Sequence, residues 1–309
     1  MRINPRISVS CLKQFFKSDK KQLISLIACL FLLLTVTWNT SAQENWPRVA
    51  YSKDSTPISY EVYGKGDPTL VFVHGWSCDS RYWRAQVPEF SKKYRVVLID
   101  LAGHGHSGIS RITYRMSSFG EDVKAVTEAV GSSRVILIGH SMGGPVVAEA
   151  ARLMPDRVIG LIGIDTFKNV EYPINSEMVK GLVAPMEKNF QDGCKGFVQQ
   201  MFSSKTDPKL REWIAKDMSS APPQVALSAI NNMAYQFITG EAAKMFKDVK
   251  VPVITINGDL EPIEYEINRK HMLSFDAVVI KEAGHFLMMA RPVEFNKELE
   301  KAVIKLTGK

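Results

Sequence analysis

The chain has no internal repeat and no low-complexity segment, so neither a stacked-repeat architecture nor a disordered tract dominates it. It also lacks a basic stripe. The net charge is +7, but residues 1–42 hold +5 of it and the remainder only +2. The basic surplus therefore belongs to a leader rather than to a face, and no nucleic-acid partner is expected. Cysteine is scarce, with four in 309 residues, of which only Cys78 and Cys194 lie beyond residue 42. Two thiols can pair in an oxidising compartment or stay free as small hydrophobes, and the second is the simpler expectation. Long apolar runs are missing too. The best, Leu23–Val36, is short of the roughly 20 residues that span a bilayer.

That run sits in a recognisable setting. Arg2, Arg6, Lys13, Lys17, Lys20 and Lys21 precede it, and Asn39-Thr40-Ser41-Ala42-Gln43 follows, with small residues at Thr40 and Ala42. The layout is that of a secretory signal spanning residues 1–42, which predicts an exported protein. The alternative is an uncleaved N-terminal anchor, which would make this segment the chain's one membrane contact. A lipobox at Leu26-Ile27-Ala28-Cys29 is a third reading, weakened by the apolar residues after it. Residues 43–309 suit one large α/β domain, or a domain with an insertion.

Two alternating runs, around Arg48–Tyr51 and Ile58–Tyr63, predict an antiparallel hairpin. The later runs are continuously apolar: Leu70–Val73, Val96–Ile99, Val135–Ile138, Val158–Ile164, Val251–Ile256 and Val278–Ile280. Strands buried on both faces of a parallel sheet look like this. Helical patterns over Ser118–Val130, Gly143–Met154 and Pro292–Leu306 separate them, giving a mostly parallel sheet with helices on both faces. The interval from about 168 to 248 offers no strand. Helical stretches at Ser176–Met201, Asp207–Met218 and Pro222–Phe246 predict an inserted cap, and Met178, Met186, Met201, Met218, Met233 and Met245 make it an apolar lid or, Met by Met, ordinary core.

Gly139-His140-Ser141-Met142-Gly143 follows the run Val135–Ile138 and opens a helical pattern. Such a turn strains the serine backbone and needs glycine on either side, and it lifts the Ser141 hydroxyl clear of the sheet as a nucleophile. His74-Gly75-Trp76 closes an earlier strand, where the Trp76 amide can join the Met142 amide as an oxyanion donor; His74 itself reads as a turn-packing residue. His104 and His106 lie two apart with no nearby Cys or acid cluster, so their glycine-rich turn reads as structural and no metal is expected. His285, in Ala283-Gly284-His285-Phe286, follows the last strand and is the candidate base.

With HGW at 74–76, DLAGHGHSG at 100–108, GHSMGG at 139–144 and AGHF at 283–286, the chain from about Tyr51 onward resembles the α/β-hydrolase superfamily. It is most similar to the branch of serine esterases, haloperoxidase-like proteins and C–C-bond hydrolases. The resemblance implies an α/β-hydrolase fold, a Ser-acid-His order, a covalent serine adduct and no cofactor. It also implies an acid after the penultimate strand, where the spacing puts Glu261 first. Asp259 is close by and of the commoner residue type. Asp165 suits an alternative arrangement in which the acid follows the preceding strand. A serine at 141 argues against the dehalogenase and epoxide hydrolase branches, which place aspartate there. The expected partner is a small to medium hydrophobic ester or lactone, bound near Trp76, Tyr82 and Trp83. Cleavage of a C–C bond in a β-diketone-like substrate, and a slow-turnover sensory protein, are the alternatives.

Overall fold

The computed structural model describes residues 47–308. The segment read as a signal, residues 1–42, lies outside them. Among the described residues, eight strands form one sheet: β1 (Arg48–Tyr51), β2 (Pro57–Tyr63), β3 (Thr69–Val73), β4 (Arg95–Ile99), β5 (Val135–His140), β6 (Val158–Ile164), β7 (Val253–Gly258) and β8 (Phe275–Ile280). The spatial order is β1-β2-β4-β3-β5-β6-β7-β8. β1 pairs antiparallel with β2, and β2 with β4; every later pairing is parallel.

The apolar runs explain this layout. All residues of β3, β5 and β7 are buried, because helices cover the centre of the sheet on both faces. Each fully buried Val, Leu or Ile there contributes about 1.5–3 kcal/mol relative to exposure. The last strand departs from expectation. Val278 is only half-buried and Val279 is 37 % exposed, because β8 is the sheet edge, with β7 as its single neighbour.

Helices α1 (Met116–Val130), α2 (Gly143–Leu153) and α7 (Pro292–Thr307) pack on the sheet, with α1 against α2. Between β6 and β7 lie α3 (Ser176–Lys188), α4 (Phe190–Gln199), α5 (Pro208–Met218) and α6 (Pro223–Ile238). Two predicted helices are broken. The stretch Ser176–Met201 divides at Asn189, whose extended backbone ends α3 while its side chain caps α4 by accepting from the Asp192 amide. The stretch Pro222–Phe246 stops after Ile238, where Gly240 takes a left-handed φ of 74°.

The sheet order turns at β3: β4 lies on one side and β5 to β8 on the other. Loops leaving β3, β5, β6, β7 and β8 therefore gather at the carboxyl edge of one sheet, where α/β folds place their ligands.

Candidate active site

The turn after β5 puts Ser141 at φ 52°, in the left-handed region that a non-glycine residue rarely adopts. Its amide donates to the Ile164 carbonyl at 2.9 Å, and its carbonyl accepts from Gly144 at 2.8 Å, so both neighbouring elements hold the strained residue. The flanking glycines are obligatory. A Cβ on Gly139 would stand 2.2 Å from the Gly143 oxygen, and one on Gly143 would stand 2.6 Å from the Val73 oxygen. The β3 loop presses on the same elbow, since a Cβ on Gly75 would come within 2.8 Å of His140 Nδ1 and 3.2 Å of Ser141 Cβ.

His285 arrives on the loop after β8, and its amide donates to the Met201 carbonyl at 2.8 Å. Its Nδ1 lies 2.5 Å from Asp165 Oδ2. Asp165 is the residue immediately after β6, at φ 45°, with a side chain 2 % exposed. Its other oxygen accepts from the Gly258 amide at 2.9 Å, at the end of β7. Burial pushes this carboxyl up, but the His285 hydrogen bond and the His285 and Lys168 charges outweigh it and hold it at about 2. Lys168 Nζ stands 3.1 Å from the same Oδ2.

Glu261, the carboxylate favoured by spacing, does not reach the histidine. Its side chain is 64 % exposed and meets Lys168 Nζ at 3.2 Å. Asp259 does not reach it either; Asp259 Oδ2 accepts from the Glu282 amide at 3.0 Å. The chain after β7 runs hard against the β8 loop, with the Ala283 oxygen 2.3 Å from where a Gly258 Cβ would be, and then leaves for solvent. The β6 loop instead turns inward through the left-handed residues Asp165 and Phe167. Two fully buried asparagines pin it. Asn257 Oδ1 accepts from the Thr166 amide at 3.1 Å, and Asn268 Nδ2 donates to the Phe167 carbonyl at 2.7 Å. Neither asparagine nor Lys168 belongs to a motif that would single it out in the sequence.

Ser141 and His285 line one cavity of about 50 Å³, with Trp76, Phe197, Met201 and Met233 among its apolar walls. The methionines divide by place. Met201, Met218 and Met233 face this cavity, Met186 and Met245 are core, and Met178 is 48 % exposed. Tyr82 and Trp83, expected at the mouth, are fully buried instead: Tyr82 packs on Trp213 and Phe286, and Trp83 on Phe72. Trp76 alone of the three reaches the cavity, and its indole Nε1 donates to the Ala226 carbonyl of α6 at 2.7 Å. Among the described residues, neither the Trp76 nor the Met142 backbone amide has a hydrogen-bond acceptor.

His74, His104, His106 and His140 make local contacts. His74 places Nδ1 2.8 Å from the Gly75 carbonyl and accepts from the Leu101 amide at Nε2. Burial pushes both His104 and His140 down to about 3, so they stay neutral. His140 Nε2 lies 2.9 Å from the His285 carbonyl, buttressing that loop. His104 faces the Ala102 carbonyl and His106 faces Asp100, so the pair does not converge on one point. Cys78 and Cys194 are free and buried, Cys78 in the cavity wall.

A family model described as the alpha/beta hydrolase fold matches residues 68–292. The chain belongs to the alpha/beta hydrolase fold family. Within it, the chain is 26 % identical over 247 residues to the dihydrolipoyllysine-residue acetyltransferase component of the acetoin cleaving system of Pseudomonas putida. That alignment covers 78 % of the chain and 64 % of the relative, less than two thirds of its length. It is 26 % identical over 259 residues to the pimeloyl-[acyl-carrier protein] methyl ester esterase of Aeromonas hydrophila subsp. hydrophila, covering 79 % of the chain and 98 % of that hydrolase. The bromoperoxidase of Bacillus anthracis superposes with a TM-score of 0.73 at 22 % identity, covering 85 % of the chain and all of that structure, and so shares the alpha/beta hydrolase fold.

Proposed function

We propose that this alpha/beta hydrolase cleaves carboxylic esters, lactones included, by covalent serine catalysis. Ser141 is the nucleophile, His285 the general base, and Asp165 the acid that orients His285. The observation that carries this reading is the 2.5 Å contact between His285 Nδ1 and the buried Asp165, with His285 and the strained Ser141 opening on one cavity.

The chemistry follows from those positions. With Nδ1 protonated and facing Asp165, Nε2 of His285 is left as the base. It takes the Ser141 proton as Oγ bonds to the substrate carbonyl carbon. The carbonyl oxygen becomes an oxyanion, and the Trp76 and Met142 amides are the donors assigned to it. The carbon–oxygen bond to the leaving group then breaks, and His285 returns the proton to that oxygen. A water molecule, deprotonated by His285, attacks the acyl-enzyme, and Ser141 Oγ leaves with the proton. No metal or organic cofactor enters this cycle.

The cavity bears on the substrate. It is small, at about 50 Å³, and lined mostly by apolar side chains. Apolar walls of that size favour a short, uncharged acyl group. The likeness to a methyl ester esterase supports ester cleavage in general.

A fluorophosphonate probe tests the reading directly. Wild type is expected to label at Ser141 and to hydrolyse p-nitrophenyl acetate faster than longer-chain esters, and Ser141→Ala to do neither. Undiminished hydrolysis by Ser141→Ala would remove the nucleophile assignment. Export is a separate proposal. N-terminal sequencing of protein from its host should begin at Gln43, and an intact Met1 would favour an anchor.

A further inference from the structure

An acid that only orients a histidine needs one oxygen facing the imidazole. Asp165 Oδ2 faces two cationic or potentially cationic groups at once, His285 Nδ1 at 2.5 Å and Lys168 Nζ at 3.1 Å. Lys168 in turn reaches Glu261 at 3.2 Å. The result is a chain of alternating charge, Glu261–Lys168–Asp165–His285, that runs from solvent into the cavity wall. Its inner members are secluded: the Asp165 side chain is 2 % exposed and that of Lys168 12 %, against 64 % for Glu261. Seclusion weakens water's screening, so a charge on Lys168 acts on the imidazole more strongly than a surface charge would.

We propose that Lys168 is a positioning residue that sets the lower pH bound of turnover, by sharing the Asp165 oxygen with His285, and that Glu261 moderates it. The proposal rests on the hydrolase reading above. His285 works as a base only while unprotonated. A carboxylate facing an imidazole attracts its protonated form. Lys168 opposes that form in two ways that add, by engaging the same Asp165 oxygen and by repelling the imidazolium. Glu261, on the far side, offsets part of the Lys168 charge.

The backbone is built to keep Lys168 there. Asn268 Nδ2 lies 2.7 Å from the Phe167 carbonyl and 3.2 Å from that of Lys168, and Phe167 is held at φ 56°. The other groups around His285 leave the assignment intact. The His140 ring, its centroid 4.7 Å away on the β5 side, is kept neutral by burial. Across the cavity, burial pushes the Cys78 thiol up, so it too is uncharged. On the β8 side, Asp259 is turned to the Glu282 amide, and Glu282 lies 4.0 Å from Lys205 of the cap. None of these bonds to the Asp165 carboxylate.

The test is the pH dependence of kcat/KM for p-nitrophenyl acetate, read from about pH 4 to 9. Lys168→Met should move the acid limb up by about half to one pH unit, the size a secluded charge exerts at this range. Lys168→Arg keeps the charge and should leave the limb in place. Glu261→Gln should move it the other way, down, by less. A Lys168→Met limb superposed on wild type, whatever the loss of rate or stability, would show that Lys168 only neutralises a buried carboxylate. If Lys168→Met does not fold, Glu261→Gln decides, and an unmoved limb overturns the proposal. Fluorophosphonate labelling of the same preparations separates the two readings: labelled protein with unmoved limbs sinks the Lys168 proposal alone, whereas an unlabelled wild type removes the hydrolase reading and this proposal with it.

Discussion

The loops after β6 and β7 leave adjacent strands at the same edge of the sheet, and both begin with acidic residues. One folds its carboxylate inward; the other sheds its carboxylates to solvent. Asp165 sits one residue beyond its strand and is committed by a left-handed turn, by the Gly258 amide on Oδ1 and by two asparagines that grip the next residues. Asp259 and Glu261 follow a strand end crowded by the Ala283 carbonyl, and their side chains end outside the cavity, Asp259 on the Glu282 amide and Glu261 on Lys168. What decides which carboxylate meets a histidine is therefore the path of the backbone, not the choice between Asp and Glu.

Exchanging charge for amide gives the largest expected contrast. Asp165→Asn should lower kcat by roughly 10⁴-fold, because an amide favours the wrong imidazole tautomer. Glu261→Gln should change plateau kcat by only about two- to three-fold, since an exposed ion pair is worth about 0–1 kcal/mol. Steady-state kinetics on both variants checks this, and equal mild effects would erase the distinction between the loops.

The asparagines come next. Asn257→Ala leaves the Thr166 amide without its acceptor and should cost about 1–3 kcal/mol of unfolding free energy, along with a fall in kcat as Asp165 loosens. Urea denaturation paired with kinetics reads both. Stability lost without any loss of kcat would mean that Asn257 supports the fold and not the site.

Acid titration separates the loops more gently. The Asp165 carboxyl is held at about 2 in the fold, below its ordinary 3.8. Between those values the unfolded chain binds more protons, so stability present above 3.8 drains away as pH falls toward 2. Its amplitude is on the order of 2 kcal/mol. Asp165→Asn should flatten that part of the pH–stability curve, and Glu261→Gln should not. The smallest effect belongs to Asp259→Ala, which deprives the Glu282 amide of one acceptor and should cost about 0.5–1.5 kcal/mol in thermal unfolding, with kcat untouched.

Much of this was legible in the sequence. Continuous apolar runs marked the buried strands, Gly139 and Gly143 marked the elbow, and His285 was placed by its strand-end loop. The misses share a cause. Spacing favours Glu261 over Asp165 because the partners of Asp165, Gly258 and His285, lie 93 and 120 positions along the chain. Tyr82 and Trp83 read as mouth residues because aromatic side chains suit both a cavity and a core, and only packing against Trp213, Phe286 and Phe72 tells which. The break at Asn189 did have a local sign, an Asn three residues before Asp192, which is a helix-start pattern inside an otherwise helical stretch.

The Trp76 indole joins the end of the β3 loop to α6, two segments 150 positions apart in the chain. The residue whose amide is assigned to the oxyanion is thus roped to the roof over the cavity. If the roof lifts, the indole hydrogen bond to Ala226 breaks and its proton meets solvent. The rate at which the indole hydrogen of Trp76 exchanges for deuterium would then be a clock for the opening of the chamber.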